Sequence, residues 1–222
     1  MSAELGALLL TDGRLPTGGH AHSAGLEPAL AAGLRADQVP AYIDARLRTV
    51  GLVEAAAAVV ALRIAVDAPA RLGDVQAELM ARTPSAPLRH ASELLGRGLA
   101  RLALRLWPDH AAVAALHGLG QPPLRPVALG VVGAALGMSA AAIARASLYD
   151  DAQTVAAASL KLLPVDPADA TGWLLASAST IEAVVSRALA TTGPDDLPAL
   201  TAPMVELWSL DHHHSTRRIF VS

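Results

Sequence analysis

Apolar residues recur three and four apart along almost the whole chain, and nowhere do they alternate over a run of any length. That period is the mark of amphipathic helices and excludes an extended sheet. Punctuation divides the pattern. Ala3 to Leu10 reads as a short apolar helix, and Ala24 to Ala32 as a second, stopped at Gly33. Asp37 is placed to cap a long helix that runs through Tyr42, Ile43 and Leu47 to about Val66. Gly73-Asp74 restarts a helix that reaches Arg82, and Thr83 to Pro87 is a helix-breaking connector. Leu88 to Leu106 follows, then a short helix opened by Pro108-Asp109 and a loop from Gly118 to Pro123. Asp166-Pro167 is an N-cap with proline at the first helical position, opening a helix to about Thr191. Pro198 to Leu210 reads as the last helix, and residues 211–222 as a tail that is polar, then basic, then apolar. The pattern predicts an all-α protein, residues 1–222 forming one bundle of about ten helices joined by short connections.

One segment needs a separate decision. Nineteen residues without a charge lie between Arg125 and Arg145, near the length of a membrane span. They include Pro126, three glycines and much alanine, and Gly137-Met138-Ser139 reads as a helix stop followed by a new N-cap. Two packed helices, with no membrane span, are therefore expected, the second passing Tyr149 towards Leu163 and ending at Pro164.

Composition narrows the function. Hydrophobic residues make up 53% of the 222 and aromatics only 3%, so alanine carries much of the core and favours helix. The net charge of −3 and the lack of a basic aromatic face argue against nucleic acid. With no cysteine, disulfides, thiol catalysis and cysteine zinc sites are excluded, which fits a cytoplasmic protein. Arg97, Arg101 and Arg105 share one helix face, which either faces water or meets an acidic partner.

Chemistry is sparse. The turn Leu15-Pro16-Thr17-Gly18-Gly19-His20-Ala21-His22-Ser23 bends sharply and aims at a helix N-terminus. Gly13 and Gly18 have phosphate-loop spacing, but Gly19-His20 stands where Lys-Ser/Thr is required, so nucleotide binding is excluded there. His20 and His22 are the weak metal-ligand candidates, two nitrogens where a closed site takes about four ligands. His212-His213-His214 is expected in a solvated turn, because only a loop would let adjacent histidines converge on a metal. Asp150-Asp151, adjacent on a helix, are not expected to face one site. His22, Glu27 and His90 are the residues that could gather as acid, base and orienter, though no spacing demands it. One functional reading from residues alone is a small helical metal-binding or hydrolytic protein using His20 and His22.

The same turn resembles a known signature. Leu15, Pro16, Gly18, His22, Ser23, Gly25, Leu26 and Glu27 match the N-terminal pattern of the urease accessory protein family UreF. Arg89, Ser92 and Gly96 resemble the family's central helix, with His90 where glutamate is usual. Pro126 to Gly137, Leu148-Tyr149 and Lys161 to Pro164 follow its helix pair. His212, Arg218, Phe220 and Ser222 fall in its C-terminal pattern. Departures are His20 for an aromatic and His213 for a glutamate. The resemblance implies an all-helical, non-catalytic assembly factor that holds no cofactor itself. It implies binding to the accessory protein UreD or UreH, recruitment of the GTPase UreG with its GTP and nickel, docking on apo-urease, and a homodimer. It also implies that Thr17 and the matching residues named above serve partner binding. The tail, with Phe220 as an exposed anchor, is expected to dock on UreD/UreH.

Overall fold

The computed structural model of the chain describes residues 3–215 and 218–220, and these form helices joined by turns and loops, with no strand among them. Twelve α-helical segments are joined by short turns. They are α1 (Ala3–Leu10), α2 (Leu26–Ala31), α3 (Val39–Arg46), α4 (Leu52–Asp67), α5 (Leu72–Ala81) and α6 (Ala86–Leu106), then α7 (Ala111–His117), α8 (Arg125–Ala135), α9 (Ala140–Leu162), α10 (Pro167–Ala176), α11 (Ala178–Leu189) and α12 (Pro203–His214). A π turn, Leu47–Gly51, joins α3 to α4, so the two form one rod, Ala36–Asp67, and the helices number eleven.

That rod is the centre of the core. Most of α4 is alanine and valine, buried on every side, and α8, α9 and α11 pack around it. Small residues permit the closeness: a Cβ on Gly130 of α8 would stand 2.6 Å from the Ala58 carbonyl. The rod is long and apolar enough to cross a membrane by composition, but 72% of its apolar window lies inside the protein. The uncharged stretch after Arg125 is two helices, broken at Gly137 (φ +68°) and restarted by Ser139, whose hydroxyl accepts from the Ala142 N–H.

Several boundaries differ from expectation for local reasons. Asp37 does not cap the rod. It lies inside a 3-10 turn, and the Gln38 side chain accepts from the Arg35 N–H at 2.9 Å instead. Helix α6 begins at Ala86, two residues early, because Ser85 is its N-cap. His110, in place of Pro108-Asp109, caps α7. The helix from Pro167 breaks at Ser177, whose hydroxyl turns back to the Leu174 carbonyl and competes with the backbone ladder. Residues 198–202 are not helical. Pro203 forces Ala202 out of the helical region, and α12 starts there and runs on through His214. The three histidines are thus the last turn of a helix, where a partial negative charge favours them. His212 is buried, while His213 and His214 are exposed.

Candidate functional site

The signature turn is held by glycines on both sides of the contact. Gly18 has φ +92° with open space around it, so only its backbone angle is demanding. Thr17 lies directly on α6, where a Cβ at Gly98 would come 2.6 Å from its carbonyl oxygen. Two residues back, on the other side of α6, a Cβ at Gly96 would come 2.0 Å from the Pro123 carbonyl. Ser92 accepts the Arg125 N–H at 3.0 Å, tying the start of α8 to the same helix. Arg89 donates to the Thr83 and Pro84 carbonyls at 2.6 and 2.8 Å, fixing the connector. Arg89, Ser92 and Gly96, expected at a partner surface, are therefore occupied within the chain.

After the turn the backbone takes two left-handed residues, Ala24 (φ +52°) and Gly25 (φ +80°). Tyr42 fixes them by donating to the Ala24 carbonyl at 2.8 Å, and its hydroxyl leaves no room for a side chain at Gly25. Burial pushes the Tyr42 pKa up to about 12, so it stays a donor. Ser23 is buried, and its hydroxyl accepts from the Glu27 N–H at 3.2 Å, so it does serve the start of α2.

Glu27 joins the two ends of the chain. Its carboxylate accepts the Ile219 and Phe220 N–H groups at 2.7 and 2.8 Å, and His212 stands 3.7 Å away. The His212 Nε2 contacts the Phe220 carbonyl at 3.2 Å, and Lys161 Nζ lies 5.0 Å from the centre of the Phe220 ring. Phe220 is 4% exposed and belongs to the main core cluster. The expected exposed anchor is thus corrected: a lone aromatic at a chain end gains more from its own domain's apolar slot than from water. Beyond Ser215, the described tail offers Arg218 and Ile219 outward. Ser222 lies outside the described residues. Pro16, Gly18 and Tyr149 are exposed.

Beneath the turn lies a cavity of about 150 Å³ that sequence reasoning missed. Arg46 of α3 meets Asp151 of α9 at 2.8 Å, and Arg125 of α8 meets Glu54 at 3.0 Å and Asp150 at 2.5 Å. Asp150 and Asp151 do line one site, contrary to expectation, because arginines from two other helices draw each carboxylate inward. Burial would lower the Arg46 and Arg125 pKa values, but their carboxylate partners raise both above the ordinary value. Burial raises that of Glu54 against the pull of Arg125. His22, 7% exposed, lines the same cavity. Burial first, then Arg125, lowers its pKa and keeps it neutral. Asp151 Oδ2 has no hydrogen-bond partner.

The metal and acid–base candidates are not brought together. His20 is exposed while His22 is buried. His90 is exposed and pairs with Glu93 at 3.9 Å, while Glu27 holds the tail. Among the described residues, no three histidine or acidic side chains gather as metal ligands.

Comparison with known proteins gives this arrangement a family. The UreF family model matches residues 34–178. The chain is 38% identical, over 100% of both chains, to the urease accessory protein UreF of Mycolicibacterium vanbaalenii. It is 39% identical to that of Mycobacterium sp. strain JLS and 37% to that of Mycobacterium tuberculosis, each over 97% of both chains. The chain belongs to the UreF family. The family model begins after the signature turn and ends before α12, so the match spans the rod, α6 and α8. The relatives of similar length extend the UreF likeness to the turn and the tail that Glu27 joins.

Proposed function

We propose that this chain is a non-catalytic urease accessory protein that acts in the cytoplasm as a scaffold for urease maturation. It binds UreD/UreH, the pair recruits the nickel-carrying GTPase UreG, and the assembly docks on apo-urease, where nickel is delivered. The observation that supports this reading is end-to-end similarity to proteins named for urease assembly, at 37–39% identity. A scaffold needs turns and helix ends held in place, and of the signature residues Gly96 seats the 123–124 segment on α6 while Glu27 holds the tail.

The same reading expects a homodimer. The groove where α9, α10 and α11 meet suits it: Tyr149, Leu174, Leu175 and Ile181 line it beside the Arg145–Glu182 ion pair. Leu175 is 75% exposed, an apolar cost that a second copy would remove. Leu175→Asp is expected to leave a monomer by sedimentation if this face is the interface.

The experiment is reconstitution. Urease subunits are co-expressed with UreD/UreH and UreG in nickel medium, with and without this chain, and nickel content and urea hydrolysis are measured. Nickel-loaded, active urease is expected only when the chain is present. Equal nickel loading without it, or GTP or urea hydrolysis by the purified chain alone, would overturn the proposal.

A further inference from the structure

Arginines in this protein are seldom left alone. Eight of them, from Arg14 to Arg145, hold a carboxylate. Arg63 and Arg89 hold backbone carbonyls instead. Among the described residues, Arg97, Arg101, Arg105, Arg187 and Arg218 have no ion-pair or hydrogen-bond partner, and only the first three share one helix. They follow one another at intervals of four on α6, so they form a row rising about 6 Å per step. The opposite face of α6 is the buried one, with Gly96, Leu99 and Ala103, while Gly98, covered by Thr17, borders the row. Acidic residues lie at both ends of the row, Glu93 and Asp109, yet neither pairs with it. Leu104 is exposed beside it.

We propose that this face of α6 is a docking surface for an acidic helical segment of a partner protein. The charge is complementary, and the pitch fixes the shape. Glutamates spaced four apart on a helix laid along α6 repeat at the same 6 Å step, so three pairs form in register. Leu104 offers an apolar contact for the same helix to cover. A nucleic acid fits less well, because the chain is acidic overall and the row carries only three cations. The surface does not depend on the urease reading, and its test uses no urease.

The probe is a fluorescent alanine-based helical peptide with three glutamates spaced four apart and two leucines on an adjoining stripe. Its control has the same composition with the glutamates spread round the helix. Anisotropy is read on the full chain at low salt. The first peptide is expected to bind at least about tenfold more tightly than the control and to weaken as salt screens the pairs. Arg97→Glu/Arg101→Glu/Arg105→Glu is expected to lose at least about tenfold in affinity, while Arg187→Glu on α11 loses nothing. If the reversed chain loses helical content, Arg97→Gln/Arg101→Gln/Arg105→Gln gives the same comparison without added carboxylates. Undiminished binding by the reversed or neutralised chain overturns the proposal, and so does equal binding of the control peptide. Competition by a single-stranded oligonucleotide through the same arginines overturns it in favour of a general polyanion surface.

Discussion

Gly96→Ala adds one methyl group to a helix and should still destabilise the protein. The added Cβ would stand 2.0 Å from the Pro123 carbonyl oxygen and 3.0 Å from the Leu124 carbonyl carbon. Real contacts of this kind are not closer than 3.0 Å, so α6 and the 123–124 segment must part by at least the difference, about 1 Å. A parting of that size also stretches the Ser92–Arg125 hydrogen bond, now 3.0 Å. Overpacking of this sort costs ~1–3 kcal/mol, and a lost hydrogen bond adds ~0.5–1.5 kcal/mol. The gain in helix propensity returns at most ~1 kcal/mol. The net loss is ~1–3 kcal/mol, a fall of roughly 2–10 °C in Tm for a chain of this size. Gly172→Ala is the internal comparison. It lies within α10 with nothing within 4 Å of an added Cβ, so it should stabilise by ~0.5–1 kcal/mol through propensity alone. Both are read by urea and thermal unfolding followed by circular dichroism. If Gly96→Ala is as stable as the parent, the approach of Pro123 to α6 is not what the glycine is for.

Three further outcomes are expected. Because burial lowers the His22 pKa below its usual 6.5, the unfolded chain takes up a proton near that pH that the folded chain refuses; stability is therefore lost as pH falls below about 6.5. The drop between pH 7 and 5 should be shallower in His22→Gln, and an unchanged slope would remove His22 from the account. Arg46→Met strands the Asp151 carboxylate and should cost ~3–5 kcal/mol by chemical denaturation, much of it recovered in Arg46→Met/Asp151→Leu; an equally unstable double variant would contradict this. Phe220→Ala should cost ~3–5 kcal/mol and speed protease cleavage of the tail, and full stability would mean that the ring is not seated.

The helices were legible where a single residue punctuates them. Ser139, Asp166-Pro167 and Gly137 each fix a boundary through local geometry, and the structure keeps all three. The 167–191 segment misled because Ser177 ends a helix by a hydroxyl bond that any mid-helix serine could make or decline. The buried charges were invisible for a different reason. Arg46 and Asp151 are 105 residues apart, and no spacing rule relates them. Asp150 and Asp151 looked divergent on their own helix, and only arginines from α3 and α8 turn both to one cavity. Gly96 was noticed by resemblance and Gly98 was not noticed, yet both glycines answer to backbone that passes overhead from elsewhere in the chain. For Phe220, composition described an anchor correctly but could not say which surface it would enter.

The clasp between Glu27 and the chain end has a consequence for how the protein is made. Glu27 leaves the ribosome early, and the Phe220 N–H that it accepts comes 193 residues later. At synthesis rates of about 5–20 residues per second, the carboxylate waits roughly 10–40 s for its partner. The helices between them can pack in that interval, but the slot for Phe220 stays open until that residue has been made. A chain that stops a few residues short would carry an unclosed apolar slot beside an unpaired carboxylate. Closure of the clasp therefore comes late, after the helices that it holds together.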